Sequence, residues 1–209
     1  RAEVIAVELA TASQVYAWEP SGPVPGARKL TLFPGQEVES IPLWRRFLAQ
    51  LRVLRGCRAV FFGVGYNERD VIALSWLLRL MGVTVVMMTD SKFDDKPRSA
   101  GFELFKQVVL LPYSAAIVAG KRQAAYARLL GFRRRRVLPG YDGVSVERIQ
   151  AQAGRPLAPD GIPFADRAFL YVGRFVEKKN LERLLEGYAL YVAEAGGKAR
   201  RLRLVGAGP

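Results

Sequence analysis

Short apolar blocks punctuate the chain, and between them apolar residues recur at helical spacing. The alternation is clearest from Cys57 onward. AVFFG at 59–63 reads as a buried strand. Val71, Leu74, Leu78 and Met81 then recur every three or four positions over 69–81, which predicts a helix, and VTVVMMT at 83–89 is again a strand. A polar loop over 90–98 follows, then a helix over 101–111, the strand AAIVAG at 115–120, and a helix over 122–130 stopped by Gly131. RRVLPG closes the series as a short strand. Strands alternating with helices of this length imply right-handed βαβ units and a parallel sheet covered on both faces.

The first 56 residues follow the same scheme less cleanly. VIAVEL and RKLTLF read as strands joined by the Gly/Pro-rich EPSGPVPG, and IPLWRRFLAQLRVL as an amphipathic helix. No unit repeats with the period of a solenoid or propeller. Over 143–166 the chain turns polar, with three prolines and three glycines, as a segment crossing between domains must. The strand–helix–strand pattern then restarts with AFLYVG, a helix from Leu181 to Ala195, and LRLVG. The organisation expected is an α/β domain over 1–145, a linker over 146–166 and the opening of a second α/β domain over 167–209. So short a second domain cannot bury its own apolar faces and is expected to be incomplete.

Composition narrows the chemistry. Half of the 209 residues are hydrophobic and 24% are charged, so the chain can bury a core. No block reaches the roughly 18 apolar residues of a membrane span. RAEVIAVELA has the pattern of neither a signal peptide nor a charged leader, so a cytoplasmic location is expected. There is one cysteine, Cys57, and no histidine, which disfavours disulfide scaffolds, histidine triads and zinc sites. Cys57 reads as a small buried apolar residue. The formal charge of +13 makes phosphates, anionic lipid heads or nucleic acid natural partners. The densest runs are Lys121-Arg122 and Arg133–Arg136, and a solvated arginine-rich surface and a lipid-facing patch both fit them.

The most informative run is YVGRFVEKKNLERLLEGYAL. A strand ends at Gly173, and Arg174 and Lys179 flank a short turn. Asn180 is placed to cap a helix whose buried stripe is Leu181, Leu184, Leu185, Tyr188 and Val192. A glycine, two cations and a helix N-terminus together make an anion site suited to a diphosphate. A second candidate is the loop TDSKFDDKPR, where Asp90, Asp94 and Asp95 stand at the carboxyl end of a strand. They either cap the next helix or face a ligand, since ligands of such sheets gather at that edge. Glu103 and Lys106, three apart on a helix, read as a structural ion pair. GYD at 140–142 reads equally as a turn lining the interdomain cleft or as an ordinary loop.

GRFVEKKN, a leucine-rich helix and RLRLVGAGP, in that order, resemble the start of the donor domain of retaining glycosyltransferases of family four, with V-G-x-G-P supplying Gly206 and Gly208. GVGYNERDVIALSWLLRLMGVTVVMMTDSKFDDKPR and FELFKQVVLLPYSAAIVAGKRQAAYARLLGFRRRRVLPGYDGVS are similar to the acceptor domain of a bacterial branch of that family. The likeness covers about 59–145 and 168–209. It implies a GT-B fold of two Rossmann-like domains, acceptor-side first. The activity implied is transfer of a sugar from a nucleoside-diphosphate sugar to a glycan or lipid-linked acceptor, with retention of configuration, in polysaccharide biosynthesis. By the same likeness Gly173, Arg174, Lys179, Gly206 and Gly208 would hold the donor diphosphate. Asp90 and Ser91 would be the catalytic contacts, and Tyr66, Asp94 and Asp95 would face the acceptor.

No cofactor or metal is then required, and an anionic membrane surface at the inner face is a further partner, whereas nucleic acid is not one. Three features depart from the family. The acceptor-domain histidine of many members is absent. The E-x7-E segment would lie beyond Pro209, and RAEVIAVEL resembles the second strand, leaving the first strand and helix unmatched. The chain by itself is therefore expected to be inactive. Two other readings stand beside this one: a GT-B nucleotide-sugar epimerase or hydrolase, and a basic Rossmann-like module binding nucleotide or nucleic acid, which would need aromatics among the basic runs.

Overall fold

The computed structural model describes residues 2–14, 22–95, 97–154, 163 and 166–208. The chain divides into two compact units, Arg1–Val144 and Ser145–Pro209. Both are α/β with parallel strands, an arrangement compatible with a Rossmann-like fold.

In the first unit, β1 (Ile5–Ala12) and β2 (Arg28–Glu37) form a two-stranded parallel sheet of their own. Helix α1 (Leu43–Leu54) follows and packs on α2 (Arg69–Leu80), where the Arg46 guanidinium grips the buried Asp70 carboxylate with two bonds of 3.1 and 3.2 Å. Strands β3 (Ala59–Phe62), β4 (Thr84–Thr89), β5 (Tyr113–Val118) and β6 (Val137–Pro139) pair in that order, all parallel. They are joined by α2, α3 (Ala100–Leu110) and α4 (Lys121–Leu129). Each connection steps to the next strand, so right-handed crossovers put all three helices on one face.

The core lies on that face. Val60, Phe62, Val85, Met87, Ala116 and Val118 alternate inward and meet Val71, Leu74 and Leu78 of α2. The register sets Phe61, Val86 and Ala115 in a row on the opposite face, where Phe61 is 55% exposed. Coverage of both faces, expected from the parallel pattern, is therefore not reached on the outer strands. Cys57 is half-buried against the core with its thiol 3.7 Å from the Val53 carbonyl.

β5 begins two residues before the expected strand and ends at Val118. Tyr113 opposite Val85 is a buried aromatic on the core face, and Ala119-Gly120 serve instead as the turn into α4.

In the second unit, α5 (Val146–Ala153) begins with the Ser145 hydroxyl accepting the Arg148 amide, and it ends at Gly154 in the left-handed region. This exposed helix falls in the segment read as a linker. The remainder of that segment, 155–162, 164 and 165, lies outside the described residues. β7 (Phe169–Val172) and β8 (Leu202–Val205) pair in parallel, joined by α6 (Leu181–Ala195).

The leucine stripe of α6 is not buried as its spacing suggests: Leu184, Leu185 and Val192 are exposed, because two strands offer too little surface to cover it. The helix is instead fixed by tyrosines. Tyr188 donates to the Arg200 carbonyl at 2.8 Å, Tyr191 accepts the Arg200 amide at 3.0 Å, and Tyr191 meets Phe169 edge-on. Among the described residues no helix is long and apolar enough to cross a membrane.

Candidate functional site

In a parallel sheet all strand-to-helix connections share one edge, so residues far apart in sequence converge beyond the strand ends. At the carboxyl edge of β3–β6 this gathers Gly63, Tyr66, Asp90, Ser91 and Tyr141. Thr89 closes β4, and its hydroxyl accepts the Ser91 amide at 3.1 Å. The Tyr66 phenol sits beside the hydroxyls of Ser91 and Tyr126. Tyr141 runs back over β5, where its amide reaches the Val118 carbonyl, and its hydroxyl donates to the Gly63 carbonyl at 3.2 Å. Asp142, in the left-handed region, turns the chain there, and Asp90 stays exposed at the same edge.

The edge rests on a buried polar cluster. Tyr126 Oη accepts from Lys106 Nζ at 2.9 Å and from Arg98 Nη1 at 3.0 Å, and donates to Glu103 Oε2 at 2.6 Å. Lys106 also binds Glu103 Oε1 at 2.7 Å, the ion pair read from their spacing, now seen to be only 7% and 8% exposed. The Arg98 guanidinium bonds the carbonyls of Lys92 and Phe93, so the cluster ties down the loop that carries Asp90 and Ser91. Asp94 and Asp95 are engaged locally. Asp94 pairs with Arg122 and Lys92, and Asp95 accepts the Lys92 amide at 2.9 Å. Among the described residues no group of three or more Cys, Asp or Glu side chains is arranged to hold a metal ion.

Burial alone would raise the Glu103 carboxyl, but the hydrogen bonds from Lys106 and Tyr126 and the charges of Lys106 and Arg98 outweigh it and hold it below its ordinary value. Burial raises Tyr66 and Tyr141; the charges of Asp142 and Asp90 add to the latter. Burial first, then the hydrogen bond and charge of Glu103, push Tyr126 up to about 12, and burial does the same to Tyr113.

A phenol whose folded value exceeds its unfolded 10.0 stabilises the fold fully below 10.0 and loses that contribution as pH rises towards about 12. The melting temperature is therefore expected to fall between those two pH values. Tyr126→Phe should make the fall shallower in a thermal-melt series, and an unchanged slope would remove Tyr126 from the explanation.

The second unit offers the other candidate. The connection from β7 to α6 contains Arg174 and Lys179, both exposed; Lys179 ends a 3-10 turn over Glu177–Lys179, and Asn180 alone separates it from the helix. Two backbone bonds shape it, Lys179 N–H to the Val176 carbonyl and Asn180 N–H to the Glu177 carbonyl, each 2.8 Å. Asn180 does stand at the N-cap, but its side chain makes no capping bond. Its backbone is left-handed, at φ 50°, a conformation asparagine tolerates better than most residues, and this accounts for it there.

Beyond β8, residues 206–208 run beside 173–175. The Gly173 amide donates to Val205 O at 3.0 Å and Phe175 to Ala207 O at 2.8 Å. A Cβ on Gly206 would lie 1.9 Å from the Gly173 carbonyl oxygen, and one on Gly208 would lie 2.3 Å from that of Phe175. These glycines are what lets the two connections close on each other. At Gly173 the space is taken by the Tyr171 hydroxyl, at 2.8 Å.

No protein-family model matches the chain, and no curated protein matches it. Tyr126 and Arg98 were not singled out as functional from the sequence, whereas Tyr141 belongs to the GYD segment read there as a cleft turn or an ordinary loop. Of the former two, Tyr126 alone carried a signal, as the one aromatic on the inward stripe of an otherwise polar helix, KRQAAYARL.

Proposed function

We propose that the protein is a GT-B glycosyltransferase of the retaining, family-four type. It would move a sugar from a nucleoside diphosphate to a hydroxyl of a glycan or lipid-linked acceptor, working peripherally at an anionic membrane. The observation that carries this reading is the β7–α6 connection, a glycine-bearing strand end followed by Arg174, Lys178 and Lys179 and leading, through the Glu177–Lys179 turn and Asn180, into a 15-residue helix.

Departure of a nucleoside diphosphate places negative charge on its phosphate oxygens. Fixed cations and helix N–H groups favour that charge most as the bond breaks. On the acceptor side, Ser91 and Tyr66 offer hydroxyls and Asp90 an exposed carboxylate at the sheet edge where ligands of this architecture bind. Arg174 and Lys179 act on the leaving group; Asp90 and Ser91 orient the acceptor hydroxyl.

The test is calorimetric. Uridine or guanosine diphosphate is expected to bind the chain more tightly than the corresponding monophosphate. Arg174→Gln and Lys179→Gln should each weaken the diphosphate about tenfold or more, the scale of a lost charge-assisted hydrogen bond. Equal affinity for mono- and diphosphate, or unchanged affinity in both variants, would sink the proposal.

A further inference from the structure

The edge of the four-stranded sheet opposite the candidate site has a composition of its own. The parallel topology sends every helix-to-strand connection there. Those connections and the last helical turns that lead into them hold Arg52, Arg55, Arg58, Arg79, Arg128 and the run Arg133–Arg136, nine arginines, all exposed and, among the described residues, in no ion pair. They contain no acidic residue. The acids between residues 43 and 144 are Glu68, Asp70, Asp90, Asp94, Asp95, Glu103 and Asp142, and all seven lie after a strand or in the first turn of a helix, at the carboxyl edge. The acids are thus confined to the carboxyl edge, where Arg69, Lys92, Arg98, Lys121 and Arg122 stand among them, and the positive charge of the amino edge alone is unopposed.

Apolar side chains stand among these arginines. Leu80 is 80% exposed and Leu111 66%, with Met81 and Leu129 also exposed. A repeated local structure presents them. Arg79-Leu80-Met81-Gly82-Val83 and Arg128-Leu129-Leu130-Gly131-Phe132 end α2 and α4 in the same way. In both, the glycine is left-handed, the next amide reaches back to the carbonyl five residues before it (Val83 to Leu78, Phe132 to Ala127), and the residue after the glycine is buried. The chain thus folds its Val or Phe inward and twice leaves an Arg-Leu pair facing out.

We infer that this amino edge docks on an anionic phospholipid surface, its leucines entering the interface and its arginines pairing with lipid phosphates. Isolated leucines amid cations are suited to the headgroup boundary, where aliphatic groups bury and guanidinium groups stay with the phosphates. A strand of six residues spans about 20 Å, so docking here holds the carboxyl edge clear of the lipid. The inference deepens the membrane part of the function proposed above, but its evidence is the sheet alone, and vesicle binding is read independently of nucleotide binding.

The test is flotation of the full chain with vesicles of phosphatidylcholine alone and of equal parts phosphatidylcholine and phosphatidylglycerol. Binding is expected to the anionic vesicles only and to decline as salt rises. Arg133→Ser, Arg134→Ser, Arg135→Ser and Arg136→Ser together should weaken it by at least about tenfold. A charge-matched control, Arg183→Gln, Lys198→Gln, Arg201→Gln and Arg203→Gln, should not. Leu80→Ser with Leu129→Ser, both exposed and so harmless to folding, should also weaken it. The inference is overturned if anionic vesicles fail to float the chain, if the control and the arginine variant fall equally, if the leucine variant binds as before, or if single-stranded nucleic acid displaces the chain from the vesicles.

Discussion

Glu103→Ala is expected to cost the first unit about 3–5 kcal/mol, the usual result of removing one member of a buried ion pair. Lys106 is 7% exposed and would keep a charge with no counter-ion, while Arg98, 3.6 Å from Glu103, would lose the same partner. Tyr126 would lose its acceptor. The melting temperature should drop by roughly 10 °C. Glu103→Met combined with Lys106→Met should recover much of this, since apolar pairs of similar volume often replace buried ion pairs without loss. Urea denaturation of the three proteins measures it. A Glu103→Ala cost below about 1 kcal/mol would mean that the cluster is wetter than its burial indicates.

Gly206→Ala is the second large effect. The added carbon would lie 1.9 Å from the Gly173 carbonyl oxygen, which is backbone and cannot swing aside. The two connections must part, at about 3 kcal/mol or more. The amides of Gly173 and Phe175, which donate across this gap, should lose protection from hydrogen exchange, and diphosphate affinity should fall with them. Gly197→Ala, with nothing within 4 Å of its Cβ position, should leave both unchanged. Retained protection at Gly173 in Gly206→Ala would show that the loops separate less rigidly than this packing requires.

Most elements were legible because hydrophobic blocks and helical periods agree with one another between 59 and 139. What escaped was set by partners distant in sequence. Tyr113 belongs to β5 because of its place opposite Val85, and nothing in the block AAIVAG points to it. Helix α3 buries Glu103 and Lys106 while Phe102 and Phe105 are exposed, the reverse of hydrophobic ranking, because the Tyr126 hydroxyl 20 or more positions away repays both charges. At Asn180 the residue type suggested a side-chain cap, but backbone conformation was the governing need. Tyr188 belonged to the stripe read on α6, but its bond to the Arg200 carbonyl and the docking by Tyr191 could not be read from that spacing. The charge division of the sheet is equally invisible until the parallel order sorts connections into two edges.

The proposed function places a diphosphate where β7 gives way to α6. Amide NMR shifts of the chain titrated with uridine and guanosine diphosphate locate it residue by residue. A contiguous set of saturating shifts is expected at Gly173, Arg174 and the first helical amides from Leu181, lost in Arg174→Gln with Lys179→Gln. Shifts confined to Arg133–Arg136, or scattered without saturation, would contradict it.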